Sequence, residues 1–310
     1  MTTQNTAVQD ILLSNVSRKL IPEGFIAEKI LPVALVKLSS SKIGYYGKEH
    51  LRIEEDIVGG RTPYPQVTST VRNSNSYQIT KHGLSDVITE EDFANVQKPF
   101  DARVDTTTDL QTKLQLGKEK ALADTLTSTS VITQNTTLSG TDQWSDYTNS
   151  DPIGDTETAR NTILTNSGVL PNKAVMDWLV FSKLRYHPDI IEFVKYTSNV
   201  VKGLNLQQMA DFLQVQELLI GMVPYVTTKE GQADTLGRVW GKHLVYLHAP
   251  KVASKRQVSL GYRVQQNAPR RVFRQKLGDP PNSEKVLVDD SYQQLIVDVT
   301  AAYLVEDCIA

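Results

Sequence analysis

Phe25-Ile26-Ala27-Glu28-Lys29-Ile30-Leu31-Pro32-Val33 opens the stretch on which the reading of this chain turns, Leu20 to Asp92. A compact apolar segment gives way there to a long, mostly polar run. Residues 40–58 carry Ile43, Tyr45, Leu51, Ile53 and Ile57 among polar neighbours, the two-residue period of a strand. Gly59-Gly60-Arg61 supplies a turn, and residues 64–82 return with Val67, Val71, Tyr77 and Ile79 among Thr, Ser and Asn. At ~3.3 Å per residue each arm reaches on the order of 50 Å. A two-stranded ribbon of that length has too few apolar side chains to bury itself and is marginal alone. It needs a partner surface, and the natural one is another copy of the same chain. Acidic Glu54, Glu55 and Asp56 crowd its tip, where they discourage unwanted edge pairing. The stretch ends at Thr89-Glu90-Glu91-Asp92, where Thr89 and Asp92 have the spacing of a capping box.

On the N-terminal side, Val8, Leu12 and Val16 fall at i, i+4 and i+8, one face of a short helix. That helix either packs on its own domain or forms an arm that reaches a neighbour. On the C-terminal side, Asp101 to Leu126 contains no proline and one glycine, Gly117. Leu110, Leu114, Ala121 and Leu122 lie close to one helical face, with Lys118, Glu119, Lys120 and Asp124 mostly elsewhere. The pattern predicts one helix of roughly 25 residues, ~38 Å long. Residues 127–150 read as a loop or an irregular strand, and Asp151-Pro152 opens a second helix that Gly168 closes.

Further helices are expected over Phe181–Arg185, His187–Val194 and Asn205–Leu213, and strands over Ala174–Trp178 and Val239–Leu247. Residues 228–237 read as an exposed loop. Four more strands are expected at Gly261–Val264, Val272–Lys276, Lys285–Asp289 and Leu295–Leu304. Helix and strand alternate in the middle and strand dominates the last third, which predicts an α+β fold.

Composition sets limits on function. The chain has 310 residues, 40% hydrophobic and 22% charged, in the range of a globular protein with a real core. A net charge of −2 provides no whole-chain basic field for nucleic acid. The apolar runs near Leu218–Met222 and Leu244–Leu247 are too short to cross a bilayer, so no membrane partner is expected. Gln9 and Asp10 stand where a signal peptide needs basic and then apolar residues, so secretion is not expected. The single cysteine, Cys308, allows no intrachain disulfide and reads as a buried thiol near a terminal strand.

Catalytic patterns are absent from the sequence. There is no P-loop, no dinucleotide fingerprint and no nucleophile elbow. His50, His82, His187, His243 and His248 are scattered, and His187 before Pro188 reads as a turn residue. Acid pairs such as Glu90-Glu91 and Asp289-Asp290 read as solvated ends of elements. Neither an enzyme, nor a metal site, nor a cofactor is expected. One charge feature stands out: Lys251, Lys255, Arg256, Arg263, Arg270, Arg271, Arg274 and Lys276 share a segment without an acid. It is a solvated β face, a seat for a neighbour's acidic ribbon tip, or a sequence-independent contact to packaged nucleic acid. The candidate inter-subunit residues are therefore Glu54, Glu55 and Asp56 on one side and Arg270, Arg271 and Arg274 on the other.

Several segments together resemble the major capsid proteins of tailed bacteriophages, the Hong Kong 97-like family. They are Gly24 to Val33, Tyr45-Tyr46-Gly47-Lys48, Arg61-Thr62-Pro63, Asp151-Pro152-Ile153, Pro171-Asn172, His187-Pro188-Asp189-Ile190-Ile191 and Val239-Trp240-Gly241-Lys242. The resemblance implies an N-terminal arm at 1–36 and an extended β-hairpin loop at 37–86. It implies a peripheral domain with a spine helix at 87–164, an axial domain at 165–282, and C-terminal strands of the peripheral domain at 283–310. It further implies self-assembly into pentamers and hexamers of an icosahedral head around double-stranded DNA, held without sequence specificity. Maturation from a procapsid, a portal protein and, in some members, a decoration protein belong to the same picture, as does a virion assembled in the bacterial host cytoplasm. The capsid-like pattern begins within the first thirty residues, so a separate scaffolding protein is expected. Lys42 and Lys48 lie where some members form covalent links, but no partner asparagine can be named. An encapsulin-like compartment, which shares the fold and encloses a cargo protein, is the alternative.

Overall fold

The computed structural model describes residues 7–19, 23–45, 53–54, 56–59, 63–66, 73–95, 101–195, 203–266, 270–278 and 282–310. Leu51, Gly60-Arg61, Val67, Val71, Lys48, His50 and Glu55 fall outside them. Two sheets organise the molecule. The first has six strands: Val8–Gln9, Arg271–Lys276, Glu284–Ile296, Gly261–Gln265 and Val33–Leu35 in that order, with Thr80–Ile88 also paired to Glu284–Ile296. The second runs Asn135–Thr137, Ala302–Glu306, Leu244–Leu247, Lys173–Asp177, Glu217–Gly221. With the helices between and around them, the architecture is α+β, as expected.

The five-stranded sheet is the middle layer, and its alternation divides the core. Ala174, Met176, Leu244 and Tyr246 point into one cluster with Ile163, Val180, Phe181, Ile190 and Met209, supplied by the four helices Pro152–Ser167, Trp178–Leu184, Pro188–Lys195 and Leu206–Phe212. Val175, Val245 and Leu247 point the other way, onto Ile26, Ile30, Leu122 and Leu126. That second cluster joins the apolar segment at residues 25–33 to the C-terminal half of the long helix. A smaller cluster of Leu13, Ile88, Leu110, Val272, Val286 and Val288 seats the other half of that helix on the six-stranded sheet.

The helix boundaries follow local chemistry. The long helix covers Ala102–Leu126, and its N-cap Asp101 accepts from the Arg103 N–H. Helix Pro152–Ser167 starts at N-cap Asp151 and ends on Gly168 with φ 74°, the left-handed conformation that favours glycine. Thr89 and Asp92 close the expected capping box reciprocally, with Asp92 N–H to Thr89 Oγ1 at 3.2 Å and Thr89 N–H to Asp92 Oδ2 at 2.9 Å.

Four expectations are revised. The strand read over Val239–Leu247 is only Leu244–Leu247, because Gly241 turns the chain at φ 63°. The two strands read at 285–289 and 295–304 are one 13-residue strand, Glu284–Ile296, followed by a separate Ala302–Glu306. Asp289 and Asp290 are consequently buried in mid-strand and do not end an element. Lys118 and Glu119 are buried too, while Ala121 is exposed, because the long helix is covered on more than one face.

Candidate assembly surfaces and the charged seam

The hairpin read from the sequence begins as an antiparallel ladder from Ser40↔Gln78 to Tyr45↔Asn73. Beyond it, the described residues between 53 and 66 carry no strand, so the long arms read from the sequence are shown only at their base. The base is fastened to its own chain. Tyr77 is buried with Tyr262, Val264 and Leu295, Asn75 Nδ2 donates to the Ile296 carbonyl at 3.1 Å, and Gln78 N–H donates to Gln293 Oε1 at 2.7 Å. Farther out this anchoring ends. Every described residue from 53 to 66 is exposed, including Ile53, Ile57 and Tyr64. Glu54 and Asp56 have no ion-pair partner among the described residues.

The N-terminal helix, Ile11–Lys19, docks through Leu13, Ser14 and Ser17. Val8, Ile11, Leu12 and Val16 face outward. The stripe read from the sequence therefore does not seat the helix on its own domain. It leaves an exposed apolar face, with Val8 just before the helix in a short strand.

The basic segment splits in two. Its second half enters a buried seam between the N-terminal segment, the long helix and the six-stranded sheet. Arg270 is buried and pairs with Glu28, holding a φ of 47° in the left-handed region. Glu28 also takes Lys118 at 3.3 Å and Arg263 at 3.7 Å. Lys118 is bound to Asp290 at 2.6 Å and lies 4.3 Å from the centre of the Tyr292 ring. Asp289 receives Arg271 at 3.0 Å and Lys81 at 2.9 Å, and Arg274 reaches Asp10 at 2.7 Å. Opposite charges inside the chain thus engage all three arginines nominated for inter-subunit contact. The missing acids come from outside the segment: Asp10 and Glu28 from the N-terminal part of the chain, and Glu284, Asp289 and Asp290 from the neighbouring strand.

Burial perturbs the groups in this seam. It lowers the pKa of Lys118, an effect that the nearby Asp290 carboxylate opposes. Burial, aided by the Asp290 charge, pushes the Tyr292 hydroxyl up to about 12. Next to Lys118, Glu119 accepts from the Ile26 N–H at 3.1 Å, the Ala27 N–H at 2.7 Å and the Trp240 indole N–H at 2.7 Å. One carboxylate thereby satisfies the start of the short helix Ala27–Ile30 and pins Trp240. Burial raises its pKa, and those donors work against the rise. Beneath Trp240 lies Gly221, where a Cβ would collide with the indole ring.

Among the described residues, no arrangement points to catalysis. Ser150, His187 and Asp189 superficially resemble a triad, with Ser150 Oγ 3.0 Å from His187 Nε2. However, the Ser150 hydroxyl donates to the Asp146 carbonyl at 2.6 Å, and His187 Nδ1 stands 3.8 Å from Asp189, beyond hydrogen-bond reach. His187 is wholly buried, and that burial lowers its pKa. It is a core histidine at a helix start, more deeply enclosed than a turn residue. Cys308 is buried as expected, with its thiol pushed up by burial. Among the described residues, no group of three or more His, Cys, Asp or Glu is placed to hold a metal, and no helix is long and apolar enough to cross a membrane.

The fold first defines a class. A phage-related protein from Bordetella bronchiseptica superposes with a TM-score of 0.76 at 24% identity over 98% of both chains. The capsid of cyanophage P-SCSP1u gives 0.60 at 10% identity, covering 93% of this chain and 89% of that one. This α+β architecture is one that phage shell proteins use. Sequence then narrows the assignment. Residues 125–253 match the family described as Phage major capsid protein E. The major capsid protein of Burkholderia phage BcepMu is 25% identical over 246 residues, 78% of this chain and 77% of that protein. Over these spans the chain is similar to phage major capsid proteins.

Proposed function

We propose that this chain assembles into pentamers and hexamers of an icosahedral phage head that encloses double-stranded DNA. In this reading a separate scaffolding protein and a portal act during assembly in the host cytoplasm, and some heads add a decoration protein. The ribbon carries the argument. Its base is secured by the chain's own sheet, while Ile53, Ile57 and Tyr64 beyond it are exposed. The outward stripe Val8, Ile11, Leu12 and Val16 supports the same reading. Obligate assemblies bury large, partly apolar interfaces, and arms that cross between subunits enlarge them.

The proposed domains follow sheet membership more closely than linear cuts. Strands Gly261–Gln265 and Arg271–Lys276 belong with Glu284–Ile296, whereas Ala302–Glu306 joins the sheet of residues 173–247. Of the nominated contact residues, Glu54, Glu55 and Asp56 are assigned to the neighbour. Arg270, being buried, is assigned to its own chain, and Arg271 and Arg274 offer only their exposed edges.

Electron microscopy and sedimentation of the purified protein, with and without scaffold, test this function. Closed shells are expected, and a protein that stays monomeric under every condition sinks the proposal. Particles holding a cargo protein in place of nucleic acid would favour the compartment reading.

A further inference from the structure

At the centre of the charged seam, Lys118 is held between two carboxylates. Its Nζ lies 2.6 Å from Asp290 Oδ2 and 3.3 Å from Glu28 Oε1, and the centre of the Tyr292 ring is 4.3 Å away. The Lys118 and Asp290 side chains are 6% and 7% exposed, which keeps bulk water from both. Asp290 Oδ1 is buried and has no hydrogen-bond partner among the described residues. Arg270 pairs with Glu28, and its Nε stands 4.0 Å from Asp290 Oδ2. A cavity of about 10 Å³, lined by Lys118, Asp290, Tyr292, Gln115 and Arg270, adjoins the pair and has room for one water.

We propose that Lys118 and Asp290 condense into an isopeptide bond within one chain, with Glu28 carrying a proton between them. The three groups meet the needs of that reaction. An amine is nucleophilic only when uncharged, and burial lowers the pKa of Lys118. Glu28, within reach of the same Nζ, moves one proton from the Lys118 ammonium to the Asp290 carboxylate, where Oδ1 is open to take it. The Nζ lone pair then forms the N–C bond to Asp290 Cγ. A second nitrogen proton passes to the departing oxygen, and the C–O bond breaks with its electron pair on that oxygen. Ammonium plus carboxylate becomes amide plus water, with no oxidant, activator or cofactor, and the adjoining cavity receives the water. The Arg270 guanidinium faces the oxygen on which negative charge develops in the tetrahedral intermediate. The exchange also removes two charges from the interior, where each is costly to keep desolvated. It occurs once per chain and turns over no substrate. The bond joins positions 172 apart and fixes the long helix Ala102–Leu126 to the strand Glu284–Ile296, whether or not copies assemble.

Intact mass spectrometry of the full chain, denatured after folding and native incubation, tests the bond. The wild-type chain should be lighter than its sequence by one water, and proteolysis should release a branched peptide joining Lys118 to Asp290. Lys118→Arg should keep its full mass. Asp290→Asn should form the same amide with loss of ammonia, so its linked chain and the linked wild type have identical masses although the unlinked chains differ. Glu28→Gln should link about a hundredfold more slowly. A wild-type chain that retains its full mass after prolonged native incubation overturns the proposal and leaves Lys118 and Asp290 as an ion pair. Loss of a water without the branched peptide overturns it as well. Glu28→Gln chains that fold and link at the wild-type rate overturn the role given to Glu28.

Discussion

Two halves of one basic stretch meet opposite fates. From Arg263 to Arg274 the arginines turn inward and find Glu28, Asp289, Asp290, Asp10 and Glu284. From Lys251 to Arg256 the cations stay in solvent around an apolar groove. In sequence the two halves are equivalent, since both are basic and neither contains an acid. The difference shows that a linear charge run says nothing about its partner. Where the strand lies in the sheet decides whether a charge is compensated at home or left for another molecule.

The contrast can be broken by substitution. The largest effect is expected at the hub of the inward half. Glu28→Gln leaves Lys118, Arg263 and Arg270 short of a carboxylate, and breaking a buried ion pair costs about 3–5 kcal/mol. Chemical denaturation measures it, and an unchanged midpoint would show that the seam is not structural. Gly221→Ala forces Trp240 off its seat against Glu119, an overpacking loss of about 1–3 kcal/mol, read as a blue shift or broadening of tryptophan emission together with a lower midpoint.

His187 sharpens the comparison through pH. Its folded pKa lies below its ordinary value near 6.5, because burial disfavours the charged form. The unfolded chain therefore binds the extra proton first. Stability is fully present above pH 6.5 and is lost as pH falls from there toward the folded pKa, with a limiting slope of about 1.4 kcal/mol per pH unit. Thermal unfolding between pH 5 and 7 should show wild type losing more stability than His187→Gln as the pH falls. The smallest effect belongs to the outward half. Lys255→Ala should leave the monomer's unfolding midpoint where it was, and a marked loss would mean that this lysine has a structural partner in its own chain.

Much of the local structure was legible in the sequence. Asp101 and Asp151 at helix starts, the glycine at 168 and the Thr89–Asp92 box are short-range devices whose chemistry lies within four residues of where it acts. The base of the hairpin, Ser40–Tyr45 with Asn73–Gln78, was legible for the same reason, since period-two patterning is local. Asp289-Asp290 was misread because an acid pair looks solvated until Lys118, Arg270, Arg271 and Lys81 arrive from other parts of the chain. The exposed stripe of the first helix was ambiguous by nature. Periodicity shows that a face is apolar, but it cannot name the surface that covers it.

By itself, the sequence determined the helices, most of the strands, the α+β class and the lack of any catalytic motif, because propensity, capping and turn chemistry act over a few residues. Only the tertiary structure decided which charges are compensated. Coulomb pairing and desolvation depend on distances between residues such as Lys118 and Glu28, Lys118 and Asp290, Arg270 and Glu28, or Arg274 and Asp10, far apart in the chain, and the fold alone sets those distances.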